Sequence, residues 1–114
     1  MQKKITFRDT PHSDVAENYA NEQLAKVEEF LKNERTPIYI DLIFTPGHVH
    51  AHNRVELLVK TPHYELVSHH EGPDFYDAID KVIDTMYRQL HEKKDRHVED
   101  RKMVGRHDEF KKQR

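Results

Sequence analysis

Between Asp74 and Arg96 the chain reads DFYDAIDKVIDTMYRQLHEKKDR, and one long amphipathic helix accounts for it. Phe75, Tyr76, Ile79, Val82, Ile83, Met86, Tyr87 and Leu90 recur at spacings of three and four residues, which gathers them on one stripe. The stripe stops at Leu90. His91 to Arg96 keep helical propensity but offer nothing apolar to bury, so helix that continues there needs a reason other than the core. A partner surface is one candidate.

The rest of the chain supplies a layer for that stripe to cover. Lys3 to Arg8 alternates, with Ile5 and Phe7 on one side. Ile38, Ile40, Leu42 and Phe44 alternate with Tyr39, Asp41, Ile43 and Thr45, and Val55, Leu57 and Val59 repeat the pattern between Arg54 and Lys60. Tyr64 to His70 is a fourth strand, anchored less strongly by Leu66 and Ser68. Pro46-Gly47 and Thr61-Pro62-His63 supply the breaks. Between the first two strands, Thr10-Pro11 is expected to open a helix, with Thr10 as cap and Pro11 in the first turn. Val15, Tyr19, Ala20, Leu24, Val27 and Leu31 would form its buried stripe, and Asn33 to Pro37 would end it. Asp74 is the expected N-cap of the second helix.

The predicted order is β-α-β-β-β-α. A helix between strands one and two implies a right-handed parallel crossover, and short turns among strands two, three and four imply an antiparallel meander. The expected fold class is therefore α+β: a two-layer sandwich with a four-stranded mixed sheet and both helices on one face. Residues 1–96 form one expected domain. Residues 97–114 are expected to be a charged, disordered tail, because Val98, Met103, Val104 and Phe110 are their only large apolar side chains.

Composition agrees with a folded body. Leu, Ile, Val and Phe make up 27 of 114 residues, above the level of about 20% at which disorder sets in. With no cysteine, disulfides, thiolate metal sites and cysteine nucleophiles are excluded. No apolar run approaches a membrane span of about 18 residues, and no signal-peptide core opens the chain. A soluble cytoplasmic protein is the default expectation.

The overall charge of −2 conceals an uneven distribution. From Arg88 onward ten Lys and Arg face six Asp and Glu, a net +4, which leaves −6 on residues 1–87. A basic C-terminal end points towards a polyanion, while a merely soluble surface is the plainer reading. On the second helix, Lys81, Thr85, Arg88, Gln89 and Arg96 fall along one flank, and Asp77, Asp80, Asp84 and His91 along the other. Asp77–Lys81, Asp84–Arg88 and Glu92–Arg96 are spaced to pair within the helix, each contributing about 0.2–0.5 kcal/mol. Alternatively, Lys81, Arg88, Lys93, Lys94 and Arg96 form an edge that contacts phosphates. Tyr76 and Tyr87 offer faces for stacking bases, but their place on the apolar stripe assigns them to the core.

His48, His50 and His52 alternate in GHVHAH, so an extended backbone would put three imidazoles on one side, a weak candidate for Zn²⁺, Ni²⁺ or Cu²⁺. A polar, His-rich hairpin loop is the simpler interpretation. No nucleophile elbow, phosphate-binding glycine loop or His-Glu-x-x-His occurs. The expectation is a non-enzyme with no cofactor and no small-molecule substrate.

The segments ITFRDT, EQLAKVEEFL and RVELLV, and above all DFYDAIDKVIDTMYRQL, resemble the ribosome hibernation-promoting factor and ribosome-associated inhibitor family in its short form. Order and spacing agree over about residues 3–96. The resemblance implies a protein that binds the small ribosomal subunit, and the 70S ribosome, in the channel for mRNA and the anticodon ends of tRNA. It would inhibit translation and conserve idle ribosomes in stationary phase or under stress. It also implies rRNA-binding roles for Arg8, Lys26, Lys81, Arg88, Lys93 and Lys94, with Arg96 a looser match, and a monomeric free protein. The appended tail is closer to the inhibitor type. Two other classes stay open: a ribosome-independent RNA-binding module, and a metal-binding or protein-interaction domain built on His48, His50 and His52.

Overall fold

A computed structural model describes the backbone of residues 1–47 and 52–113 and the side chains of residues 1–47 and 52–94. The elements follow in the order β1 (Gln2–Phe7), α1 (Asp14–Leu31), β2 (Tyr39–Pro46), β3 (Asn53–Lys60), β4 (Glu65–Gly72) and α2 (Phe75–Gln113). One sheet contains all four strands in the order β1-β2-β3-β4. β1 lies parallel to β2, and both remaining pairs are antiparallel. The expected α+β architecture is present.

Strand alternation fixes which face is buried. Ile5, Leu42, Leu57 and Ser68 stand in one cross-strand row, and Phe7, Phe44, Val55 and His70 in another. These rows face the helices, where Leu24, Val27, Leu31, Ile79, Val82, Ile83, Met86 and Leu90 are buried against Ile40, Leu42, Leu57 and Val59. Burial of each such side chain contributes about 1.5–3 kcal/mol. Ser68, a buried polar residue of β4 on that face, donates Oγ–H to the carbonyl of Val82 at 2.9 Å. This bond ties β4 to α2 and satisfies a hydroxyl that burial would otherwise penalise.

Helix α1 begins later than the sequence suggests. Ser13, not Thr10, is its cap, and Ser13 Oγ accepts the Ala16 amide at 3.2 Å. The reason lies upstream: Arg8 N still donates to Phe44 O at 2.8 Å, and Asp9 turns the chain at a φ of 58°. Only after that turn can a helix lie back on the sheet. Ala16, one turn before Ala20, is buried on the expected stripe, while Val15, about 140° round the helix from Ala20, is 57% exposed. Asp74 caps α2 as expected, accepting the Tyr76 amide on its side chain at 2.9 Å.

The two helices run side by side in the same direction. Tyr19 of α1 meets Tyr76 of α2 near their N-terminal ends, and Phe30 meets Tyr87 and His91 near the other end of α1. The backbone of α2 continues as helix through Gln113, across the residues where disorder is expected. Lys, Arg, Glu and Gln in that stretch are strong helix formers, and Gly105 is its weakest position.

Candidate nucleic-acid interface

Three sets of basic side chains emerge from this scaffold. Lys81 and Arg88 lie seven residues apart on α2, which brings them within about 20° of each other and about 10 Å apart along the helix. Both are exposed on the side away from the sheet. Lys81 Nζ is 3.2 Å from Asp77 Oδ2, the expected pair, with both side chains about half exposed. Such a pair is readily exchanged for another anion. Arg88 departs from expectation: it reaches Thr85 Oγ1 at 3.5 Å instead of Asp84.

The second set surrounds an aromatic cluster where the helices meet. Ring centroids of Phe30 and Tyr87 are 5.7 Å apart, Phe30 and His91 4.6 Å, and Tyr87 and His91 4.6 Å. Lys94 Nζ stands 5.1 Å from the centre of the Phe30 ring, a cation–π geometry. Lys26 precedes Phe30 by one helical turn on the same side of α1 and is exposed. Lys93 is half-buried, on the core side of α2 one turn beyond Leu90.

The third set is Arg8 alone. It sits exposed where β1 ends, beside the N-terminal ends of both helices. From Phe75 to Lys94 the axis of α2 runs about 28 Å, so Arg8 and Lys94 occupy opposite ends of the body. Arg96 and the expected Glu92–Arg96 pair involve a side chain outside the described residues, as do His48 and His50. His52 is half-buried, and its carbonyl accepts the Gly47 amide at 3.1 Å.

Two features escaped the sequence reading. Tyr76 and Tyr87 are not core residues: each is 38% exposed, on the seam between the helices. They lie about 80–100° from the centre of the buried stripe, so α1 rather than the sheet covers them. Along the same seam Tyr19 donates to Asp80 Oδ1 at 2.6 Å. That bond to a carboxylate, with burial adding to it, pushes the Tyr19 hydroxyl up to about 12. The other feature is His12, whose Nε2 lies 2.6 Å from Glu17 Oε2 and whose Nδ1 lies 3.4 Å from Asp14 Oδ1. Among the described residues this is the one His–carboxylate group compact enough to hold a cation. Its exposed position at the start of α1, with Asp14 and Glu17 in the first turn, accounts for it as a helix-end charge arrangement.

The described residues contain no helix long and apolar enough to cross a membrane. The body is acidic overall, yet Lys81 and Arg88 are exposed on α2, and Lys26 and Lys94 are exposed at the mouth of the seam. This arrangement suits a local contact with a polyanion better than a broad basic face.

Comparison with known proteins agrees with the architecture. The structure of the Thermus thermophilus Protein Y N-terminal domain superposes with a TM-score of 0.65 at 21% identity, covering 79% of this chain and 96% of that one. A ribosomal subunit interface protein from Coxiella burnetii superposes with a TM-score of 0.66 at 19% identity, covering 82% and 98%. At these identities the likeness is one of fold. Curated protein sequences give no match. A family profile described as Sigma 54 modulation protein / S30EA ribosomal protein matches residues 4–98, which takes in most of β1, all of α1 and β2 to β4, and the core-packed part of α2. The chain belongs to that family.

Proposed function

We propose that this protein is a ribosome-associated hibernation factor that occupies the mRNA–tRNA channel of the small subunit. There it inhibits translation and protects idle ribosomes in stationary phase or under stress. Family membership over residues 4–98 carries the reading. The solved fold relatives include a protein described as a ribosomal subunit interface protein, which supports a site on the ribosome. The mechanism is steric and needs no reaction and no cofactor: a rigid two-layer body fills a channel that mRNA and tRNA would otherwise use.

Affinity in this reading comes mainly from phosphate contacts. Lys81 and Arg88 form one contact ridge, Lys26 and Lys94 flank the ring cluster, Lys93 lies on the sheet side of α2, and Arg96 follows on α2. Arg8 would touch a separate rRNA segment, since it lies at the far end of the body. Phosphate contacts position the protein without reading sequence. The exposed rings of Tyr87 and His91 add a surface on which an unpaired rRNA base can stack.

The deciding experiment is sedimentation of the purified protein with 70S ribosomes and separated subunits through sucrose gradients at two salt concentrations. Co-migration with 70S and small subunits, lost at the higher salt, is the expected result. Protein that stays at the top of both gradients rejects the reading. Binding to free RNA fragments as tight as to subunits would favour a ribosome-independent RNA module instead.

A further inference from the structure

Strand β4 is an edge, with β3 as its one strand neighbour among the described residues. The hairpin determines which of its backbone groups are free. Thr61 N donates to Tyr64 O at 2.8 Å, and Lys60 stands opposite Glu65. Alternation from that bonded pair directs the N–H and C=O groups of Leu66, Ser68 and His70 towards β3. It turns those of Glu65, Val67 and His69 outward. A row of outward groups is a template for another strand. The side chains of these same residues stand on the face of the sheet that no helix covers, and Val67 is 44% exposed.

Set antiparallel to a second copy of itself, this strand has one register that suits it. With the two-fold axis at Val67, Val67 meets its own copy and Glu65 meets the partner's His69. All of these residues bond outward, so the new ladder closes. Shifting the axis to Leu66 puts Glu65 opposite Val67 and His63 opposite His69. Shifting it to Ser68 puts Glu65 opposite Glu71. Centring it on Glu65 or His69 sets like against like.

The neighbouring strand extends the match. Glu56 stands opposite His69 and Lys60 opposite Glu65 within one chain. Across the axis the row therefore reads Glu56, His69, the partner's Glu65, the partner's Lys60, and its symmetry mate repeats it. Charges alternate along this row when His69 is protonated, and cross-strand pairs of opposite sign stabilise. Between the two rows runs an apolar strip, Leu58 and Val67 meeting the partner's Val67 and Leu58.

We propose that β4 is a self-complementary edge through which two copies of this chain join into one continuous sheet. One strand edge buries little area, so the association is weak and reversible. Its register is held where His69, opposite Glu56 in its own sheet, meets the partner's Glu65 across the joint. This inference does not rest on the ribosome reading.

Sedimentation equilibrium of the full chain at pH 6 and low salt, up to about 1 mM, tests it. The expected result is a concentration-dependent dimer. Val67→Pro removes an outward amide while leaving the ladder to β3 intact, and should leave a folded monomer. His69→Glu should weaken the dimer roughly tenfold, and adding Glu65→Lys should restore it. A wild-type protein that stays monomeric throughout that range overturns the proposal. So does dimerisation at wild-type strength by both Val67→Pro and His69→Glu.

Discussion

Tyr19 on α1 donates its hydroxyl to Asp80 Oδ1 on α2 at 2.6 Å, joining two helices across 61 residues of sequence. Tyr76 packs edge-on against the same ring at 4.8 Å. The bond sets the alignment of the two helices and, with it, the geometry of the aromatic seam that runs to Phe30 and Tyr87.

Titration in alkali should reveal that bond. Two of the five tyrosines, Tyr19 and Tyr64, are raised to about 12. For Tyr19 the cause is the Asp80 carboxylate; for Tyr64 it is burial, then the charge of Glu34. A folded-state value above the unfolded value of about 10 means the stabilisation is complete below pH 10 and is lost as pH rises through about 12. Tyrosinate absorbance should rise in two phases, and Tyr19→Phe should remove part of the later one. The same substitution should cost about 1 kcal/mol in urea unfolding at pH 7.

Charge reversal should separate the basic sets. Lys81→Glu with Arg88→Glu is expected to weaken ribosome binding and to lower the slope of log affinity against log salt by about two, one for each lost phosphate contact. Both side chains are exposed, so thermal stability should move by no more than about 0.5 kcal/mol. An unchanged slope in filter-binding or gradient assays would remove this ridge from the interface.

The ring cluster makes a different prediction, because stacking does not release counterions. Tyr87→Ala should lower ribosome affinity by about 1–3 kcal/mol while leaving the salt slope at its wild-type value. Tyr87→Phe should retain most of that affinity. If alanine and phenylalanine variants bind alike, the cluster serves only to pack the helix ends together.

Much of this was legible in local pattern. Period-two alternation placed Leu42, Phe44, Val55 and Leu57 inside, and the three-four spacing from Ile79 to Leu90 marked the long helix, because both patterns record one-sided burial. What failed depended on distant relations. Thr10-Pro11 looks like a helix start until Arg8 is seen to be still bonded to Phe44, which delays the helix to Ser13. Val15 outranks Ala16 in hydrophobicity, yet Ala16 is the one that falls in line with Ala20 and Leu24 and is buried. Tyr76 and Tyr87 sit on the edge of the stripe, and only the parallel placement of α1 turns that edge into an exposed seam. The basic residues were identifiable individually, but their separation into a ridge, a ring-lined mouth and an isolated Arg8 needed the fold.

The distal part of α2 yields the last prediction. Up to Leu90 the helix is held by buried side chains on the sheet. Its remaining residues to Gln113 have no such support in the sequence, and an isolated helix in water is marginal even with good propensity. We propose that residues 97–114 form an appendage outside the folded body, helical only part of the time in the free protein. Amide hydrogen exchange should therefore show strong protection for Ile79 to Leu90, a fall across His91 to Arg96, and little protection beyond. Binding to the small subunit should raise protection in that last segment if it enters the channel, since ordering accompanies contact. Protection beyond residue 97 equal to that of Ile83 in the free protein would show instead that the tail is an integral part of the folded domain.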